Sequence, residues 1–406
     1  MGRKIVLSIL FYISTWNTHA QLGCTDVQAL NFDPIAQWND GSCIYPPTNY
    51  SPLLIQDLPN VLIENSGLIC WNDFLWTIND GGSTPSIYKL DQNGAVLDTI
   101  HIVSATNVDW EAMTQSNTKI YIGDFGNNAG NRTDLSIYEI NKSDILAGNT
   151  NVTAQKRVFN YGDQLDFTVQ TNGHSFDCES FYYDADSLVL ISKAWNNFYA
   201  KRYRFESVWS DTLVIFPQDS LYMDGLITDV SYDTLSKRTL ALGYKNNGSN
   251  FYTSFVYILF NHPDSHIFSG NKRRIELGNM LTLSQTEGIA LKDSASGFFS
   301  AEQISSVITI PPKLFSFDFT SYFSDDLGLN DIPLRNMTCI SPNPCIQYIT
   351  VSIGCMGQRA LVYSMTGQFC LQTVIDPSLT VNVESLVPGP YYLYVDGKHF
   401  RFVKTE

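Results

Sequence analysis

The chain has 406 residues, 44% of them hydrophobic and 13% aromatic, so it is long enough for two or three domains with substantial cores. Its 40 carboxylates outnumber 25 Lys and Arg residues, and the net charge is -15. A field of this sign repels nucleic acid and anionic membrane surfaces, so neither is expected as a partner. Tyr, Phe, Thr, Ile and Val, interrupted by Gly, Asn and Asp, predict an all-β protein of short strands and tight turns.

Residues 1–20 have the pattern of an export signal. Arg3 and Lys4 precede the apolar stretch 5–13, and residues 18–20 offer a small-residue cleavage site. The apolar stretch is shorter than the roughly 20 residues that span a bilayer, and no later stretch reaches that length. The sequence therefore predicts no transmembrane segment, and a protein that is secreted or attached to the outer cell surface.

Residues 21–47 form a predicted acidic module that a disulfide closes. Cys24 and Cys43 bracket it, and exported proteins favour disulfides over cytosolic metal clusters. Closely spaced oxygen donors suit Ca²⁺, and the candidate ligands are Asp26, Asp33 and Asp40. The alternative is that these residues only cap turns. The pattern GCTD, ALNFDP, DGSC resembles a short module of exported Bacteroidota proteins.

Residues 48–325 contain a loose internal repeat, with copies that begin near residues 66, 109, 177, 229 and 286. Units of roughly 45 to 70 residues with three or four strands predict the blades of a β-propeller. A small sheet cannot bury both of its faces alone, so such blades stack around an axis. We predict five blades, or six if 141–174 holds another, and a strand within 52–63 that closes the ring. A β-sandwich is the structural alternative.

Acidic residues recur at the start of the predicted inner strands. The inner strand of a blade begins on the rim where the second strand ends, so these residues should share one mouth of the ring. The candidate metal ligands are Asp109, Glu111, Asp177, Glu179 and Glu287. We expect the same mouth to hold Asp229 and, from the second strands and turns, Asn79, Asp80, Asp124, Asn128, Asn197, Asn247 and Glu302.

Clustered carboxylates repel one another unless they are protonated, paired or bridged by a cation. Ca²⁺, which takes about six to eight oxygens, is therefore the possible cofactor of this funnel. Two alternatives stay open: the acids only form turns and bond backbone N–H groups, or they form a catalytic centre. The D-x-E-A/S and T-E-G-I-A segments resemble phytase-like and NHL-like propellers, some of which hydrolyse phosphoesters or lactones.

Residues 326–406 have strand-like runs at 348–353, 359–363 and 391–395, which predict a small antiparallel Ig-like β-sandwich. Four motifs follow in order: Ile340-Ser341-Pro342-Asn343-Pro344, Val362-Tyr363-Ser364-Met365-Thr366-Gly367, Leu386-Val387-Pro388-Gly389-Pro390-Tyr391 and Phe402-Val403-Lys404. Together they resemble the type A C-terminal sorting domain of type IX secretion cargo. This resemblance implies the type IX secretion machinery as a partner, and release or surface attachment as the outcome. The four cysteines of this segment depart from the family pattern.

Two functions remain for the whole chain. The first is a propeller that binds an extracellular glycan or protein, in the manner of an adhesion protein. The alternative is a calcium-dependent hydrolase of phosphoesters, esters or lactones that uses the central funnel. The sequence does not identify the ligand.

Overall fold

The computed structural model describes residues 21–248, 251–263, 265–305, 308–323, 340–351, 358–365, 367–375, 378–395 and 398–406. The predicted export signal, 1–20, lies outside these residues, as do Cys339 and Cys355. The chain divides into two compact units, 1–324 and 325–406, which are described separately below.

The first unit contains five sheets whose inner strands contact one another in a closed ring. Blade 1 consists, from the axis outward, of Asn65–Trp71, Phe74–Asn79, Ser86–Leu90, Val96–Ile102 and Asn151–Val152. Blade 2 consists of Trp110–Gln115, Lys119–Asp124, Ser136–Asn141, Gln155–Tyr161 and Leu213–Ile215. Blade 3 consists of Asp177–Asp184, Ser187–Lys193, Tyr199–Glu206 and Asp219–Tyr222.

Blade 4 consists of Leu226–Asp233, Arg238–Asn246, Tyr252–Phe260, Asn271–Asn279 and Thr48–Asn49. Blade 5 consists of Gln285–Leu291, Ser296–Glu302, Lys313–Asp318 and Leu53–Asp57. The remaining elements of this unit are short: strands Leu22–Gly23, Trp38–Asn39, Ile304–Ser305 and Thr309–Ile310, α-helices Lys142–Leu146 and Met280–Leu283, and 3₁₀ turns Asn60–Leu62, Ile267–Ser269 and Thr320–Tyr322. The predicted all-β propeller is therefore confirmed.

A buried apolar cluster lies between each pair of neighbouring blades. Between blades 4 and 5, for example, Val256 packs in one cluster with Phe299 and Phe315, whose rings stack 4.8 Å apart. Burying each such side chain contributes about 1.5 to 3 kcal/mol. Because every blade buries its faces against its neighbours, the ring is the unit of stability.

The ring closes as predicted, since Leu53–Asp57 pairs antiparallel with Lys313–Asp318 in blade 5. The sixth blade that 141–174 could have held does not form. Val152 completes the apolar cluster between blades 1 and 2, and Phe159 completes the one between blades 2 and 3. This stretch therefore adds outer strands to existing blades.

Every inner strand carries a β-bulge near its start, at the same position of the repeat. The strand pairing skips Gly67, Glu111, Glu179, Thr228 and Glu287 in blades 1 to 5. A bulge leaves one residue out of the ladder and redirects its side chain. At Gly67, φ is +58°, and a Cβ would collide with the backbone of Ala112 and Met113. Only glycine fits there.

Residues 21–47 form a small cap on blade 4. The disulfide Cys24–Cys43 closes it, as predicted. The cap is tied to the propeller by hydrogen bonds such as those from Asn39 Nδ2 to the Asn261 carbonyl at 2.9 Å and from Lys272 Nζ to the Gly41 carbonyl at 3.2 Å. The four other described cysteines, Cys70, Cys178, Cys345 and Cys370, are free thiols.

The second unit has two antiparallel sheets in its described residues. One consists of Ile340–Ser341, Tyr348–Val351 and Thr380–Asn382, and the other of Phe369–Val374, Arg359–Ser364, Gly389–Val395 and Lys398–Lys404. Buried side chains from both sheets, such as Ile349 and Leu393, form one core. The predicted small sandwich is confirmed. In the described part of the chain, no helix is long and apolar enough to cross a membrane.

Candidate functional site

A cavity of about 150 Å³ lies on the propeller axis, at the end where the inner strands begin. Carboxylates from four blades line it: Asp80, Glu111, Glu179, Glu287 and Glu302. Three of these are bulged residues, because the bulges turn Glu111, Glu179 and Glu287 towards the axis. The structure therefore brings together the three glutamates that the sequence placed at one mouth.

Lys193 is the main feature of the site that the sequence analysis missed. Its ammonium group forms an ion pair with Glu179, and the lysine side chain is only 3% exposed. The rings of Trp195 and Tyr244 lie 4.9 and 5.1 Å from Nζ. The pairing register could have revealed it, since Lys193, Tyr244 and Glu302 each pair with the residue two positions before the bulge of their blade.

Burial alone would lower the pKa of Lys193, but the surrounding acidic groups, Glu179 foremost, raise it well above its ordinary value. Lys193 is therefore a permanent internal cation. It neutralises the blade 3 side of the cavity, where it contacts Glu179.

Gln285 connects two further carboxylates in blade 5. Its Nε2 donates to Glu287 Oε1 and to Glu302 Oε1, each at 2.6 Å. Burial, opposed by Lys193, raises the pKa of Glu287 to about 7. Burial and the neighbouring Glu287 raise the pKa of Glu302 well above its usual range. This pair therefore holds protons near neutral pH.

Asp80, Asp109 and Glu111 form the second acidic group, on blades 1 and 2. One carboxylate oxygen of each lies within 4.8 Å of the others, and among the described residues no other such trio of potential metal ligands occurs. Glu111 is 4% exposed, and no described residue donates a hydrogen bond to its carboxylate. Burial, then Asp80 and Glu179, raise its pKa well above the usual range.

The backbone around this trio is tightly fitted. Asn107 Nδ2 donates to the Asp80 carbonyl at 2.9 Å, which ties the blade 1 turn to the loop that carries Asp109. A Cβ on Gly126 would collide with the carboxylates of Glu111 and Asp109. Burial and the nearby Asp80 raise the pKa of Asp109 to about 7. Among the described residues, no Lys or Arg forms an ion pair with any carboxylate of this trio.

Asp177 and Asp229 lie at the inner strands but play a different part. Asp177 accepts hydrogen bonds from the backbone N–H groups of Asn127 and Cys178 and from Trp195 Nε1. Asp229 Oδ2 accepts from the Ile289 N–H at 2.8 Å, which joins blade 4 to blade 5. These carboxylates face backbone donors, so they fix the loops that surround the cavity.

The other expected mouth residues also separate into two groups. Asn128 and Glu302 line the cavity together with Asp80. Asn79 Nδ2 donates to the Val61 carbonyl, and Asp124 is paired with Arg132 at 2.9 Å. Asn197 and Asn247 are exposed and bond to nearby groups. The Asn197 Oδ1 accepts from the Tyr199 N–H, and the Asn247 Nδ2 donates to the Thr253 hydroxyl.

The three acids of the N-terminal cap are each engaged in a local turn. Asp26, Asp33 and Asp40 accept hydrogen bonds from the backbone N–H groups two residues ahead, at 2.9, 3.0 and 3.0 Å. Asp26 also accepts from the Tyr45 hydroxyl at 2.7 Å. This geometry agrees with the alternative that these residues cap turns.

A wider cavity of about 640 Å³ opens at the opposite end of the ring. Lys142, on its wall, donates to Gln115 Oε1 at 2.6 Å and to the Ser116 carbonyl at 2.8 Å. Burial lowers the pKa of this lysine to about 8. Its hydrogen bonds make Lys142 part of the wall, and the acidic end of the axis carries the denser set of chemical groups.

No protein-family model matches the sequence, and no curated protein matches it. Solved structures with a similar fold include the calcium-binding protein regucalcin from Agrobacterium tumefaciens, at 10% identity and a TM-score of 0.35, covering 68% of this chain and 95% of that chain. A GH43 endo-arabinanase from Bacillus licheniformis has 12% identity and a TM-score of 0.38, covering 67% and 96%. The PQQ-bound aldose sugar dehydrogenase from Streptomyces coelicolor has 9% identity and a TM-score of 0.36, covering 67% and 99%. The similarity lies in the fold and assigns no activity.

Proposed function

We propose that this chain is an exported propeller-type binding protein that holds a divalent cation, Ca²⁺, at Asp80, Asp109 and Glu111. The observation that carries this proposal is the convergence of three carboxylate oxygens within 4.8 Å, with Glu111 buried and the two aspartates half-buried. Hard cations prefer such oxygen ligands, and Ca²⁺ would relieve the repulsion among them. The Glu111 carboxylate, which is buried and has no hydrogen-bond donor among the described residues, fits this role.

The candidate ligand set differs in part from the one that the sequence singled out. Asp109 and Glu111 stay in it, and Asp80 joins them from the blade 1 turn. Glu179 has Lys193 as its counter-charge, and Asp177 bonds to backbone N–H groups. Three carboxylates leave part of the coordination sphere of Ca²⁺ to water or to a ligand.

Thermal unfolding of the full chain, with Ca²⁺ and with a chelator, tests the cation site. Saturating Ca²⁺ should stabilise the native protein by mass action, about 2.7 kcal/mol at 100 times the Kd. Asp109→Asn should abolish the rise in Tm, whereas Asp33→Asn, a matched change in the cap, should leave it intact. Equal melting of the unaltered chain in Ca²⁺ and in chelator would refute the site.

Delivery outside the cell is the second part of the proposal. It is supported by the four C-terminal motifs, the export signal pattern and the Cys24–Cys43 disulfide, which suits an oxidising compartment. We expect the type IX secretion machinery to recognise residues 326–406 as the sorting domain. Removal of those residues should leave the propeller inside the cell envelope, and immunodetection in medium and cell fractions would show it. Undiminished release of the truncated chain would contradict this route.

A calcium-dependent hydrolase is the second candidate. It is favoured by two carboxyls in one cavity whose pKa values burial raises: that of Glu287 to about 7, and that of Glu179 well above its usual range although Lys193 opposes the shift. Carboxyl groups of different protonation can act as base and acid. A screen of phosphoesters, esters and lactones should then detect turnover that Glu287→Gln removes. Turnover that survives this substitution would exclude this centre.

A further inference from the structure

The axial cavity contains a second unmet interaction, on blade 3, next to the blade that carries Glu111. Glu179 is 4% exposed, and its Oε2 atom is buried without a hydrogen-bond partner. The other oxygen, Oε1, is paired with Lys193. A buried acceptor without a donor costs about 1 to 3 kcal/mol, more for a charged group. Because Glu179 lines the cavity, a ligand hydroxyl bound beside it would supply the missing donor.

The same wall also offers donors and a flat aromatic ring. An ammonium group has three N–H donors, and that of Lys193 points into the same cavity as Glu179 and Trp195. Trp195 Nε1 donates to Asp177 Oδ2 at 2.7 Å, so the orientation of the indole is fixed. A preorganised aromatic wall gives apolar contact at little entropic cost.

We propose that this cavity binds one ring of a carbohydrate, which donates a hydroxyl to Glu179 Oε2, accepts from Lys193 and packs against Trp195. Sugar hydroxyls both donate and accept, and a sugar ring has an apolar face that suits an indole. The excess of carboxylates repels anionic ligands such as phosphate. The cavity of about 150 Å³ is smaller than the pockets that hold drug-sized ligands, so it takes a single ring, the end of a longer glycan.

The cation site would contribute to the same ligand, since adjacent hydroxyls could fill the open positions of Ca²⁺. That contribution alone rests on the proposed function. The contacts with Glu179, Lys193 and Trp195 come from blade 3 and do not require the ion.

The test is a titration of the full chain with a panel of methyl glycosides of hexoses and pentoses, followed by saturation-transfer NMR and tryptophan fluorescence. At least one should bind in the millimolar range. The double variant Glu179→Gln/Lys193→Gln, which removes both buried charges together, should weaken binding about tenfold or more. Glu206→Gln, an exposed carboxylate of blade 3, is the matched control and should bind as the unaltered chain does.

Failure of every glycoside to bind would overturn the inference, and so would unchanged binding by the folded double variant. The chelator separates this outcome from that of the cation site. Glycoside binding that persists, even weakened, in chelator supports the blade 3 contacts. If no glycoside binds to the unaltered chain but the chain still responds to Ca²⁺, the carbohydrate is refuted and the cation site stands. Absence of any Ca²⁺ response refutes the proposed function alone.

Discussion

The acidic group on the propeller axis and the acidic loop of the N-terminal cap have similar residue types but different surroundings. In the cap, Asp26, Asp33 and Asp40 each accept a backbone N–H two residues ahead. On the axis, Asp80, Asp109 and Glu111 face one another, and no described residue donates to the Glu111 carboxylate. Each cap carboxylate is held by its own turn, whereas of these three axial carboxylates only Asp80 accepts a neighbouring backbone N–H in the described part of the chain, that of Gly81.

The difference shows what makes a carboxylate available to a ligand. A turn provides donors from its own backbone, so its Asp satisfies its oxygens locally and has little left for a metal. The β-bulge at Glu111 instead turns that side chain away from the ladder, towards the carboxylates of Asp80 and Asp109. Lys193 pairs with Glu179 there, whereas no described Lys or Arg forms an ion pair with Asp80, Asp109 or Glu111.

The largest effect should come from Lys193→Met, which removes that counter-charge. It leaves Glu179 buried and unpaired, and the free energy of unfolding should fall by about 3 to 5 kcal/mol. Lys201→Met is the control, because its pair with Asp163 is 24% exposed on both sides and should contribute much less. Urea unfolding followed by tryptophan fluorescence reports on the first unit, since all 7 tryptophans precede residue 325. Equal losses in the two variants would contradict the account.

The cap should depend on its disulfide in the way that the axis depends on Lys193. The double variant Cys24→Ser/Cys43→Ser opens a loop with a sequence separation of 19, which should cost the cap about 2 to 4 kcal/mol. Hydrogen exchange should rise in residues 21–47 while the propeller blades keep their protection. If a chelator alone caused the same loss of protection, the cap would be a metal-held loop after all.

The two regions should respond to pH in opposite directions. Burial raises the pKa of Glu287 to about 7, above the value of about 4.3 in an unfolded chain. The stability that Glu287 contributes is therefore fully present below that unfolded pKa and is lost as the pH rises through 7. The free energy of unfolding should fall by about 1 to 3 kcal/mol. Asp109, with a pKa of about 7, acts in the same sense. Unfolding in chelator between pH 5 and 8 should show this decline, reduced in Glu287→Gln.

In the cap, the sign is reversed. Hydrogen bonds from the Ser42 side chain and backbone lower the pKa of Asp40. The stability that Asp40 contributes is present above its pKa in the unfolded chain and is lost as the pH falls through its pKa in the folded chain. Chelator-treated protein that becomes more stable from pH 5 to 8 would show that the axial carboxylates do not hold protons.

The smallest effect should come from Asp33→Asn in the cap. Asp33 Oδ1 accepts from the Ile35 N–H at 3.0 Å, and an asparagine oxygen can replace it. We expect a change in stability of about 0.5 kcal/mol or less. A loss of several kcal/mol, measured by the same urea unfolding, would mean that the charge itself holds the cap.

Much of the fold could be predicted from the sequence, because the repeat, the short strands and the closing strand are local patterns. The convergence of Glu111, Glu179 and Glu287 followed from their common place in the repeat. Their separation from Asp177 did not, because residues two apart on a strand normally share a face. The bulge between Cys178 and Ser180 redirects the Glu179 side chain, and no local sequence pattern predicts this bulge.

Lys193 was missed for a related reason. Its place opposite Asp177 depends on the pairing register of two strands, which the pattern of acidic and Asn residues does not reveal. Asp229 was misaligned with Asp109 and Asp177: it follows the bulged Thr228 of blade 4 by one residue, whereas each of the other two precedes its bulge by two residues. A sixth blade does not form, because apolar residues of 141–174 pack into the clusters between blades 1 and 2 and between blades 2 and 3.

The most direct test of the central claim is an anomalous difference map from crystals of the full chain soaked with a lanthanide in place of Ca²⁺. We predict a peak among the carboxylates of Asp80, Asp109 and Glu111, and none within residues 21–47. Crystals of Asp109→Asn should lose the axial peak. An axis without a peak, or a peak only in the cap, would contradict the claim that the axial carboxylates, and not those of the cap, are available to a cation.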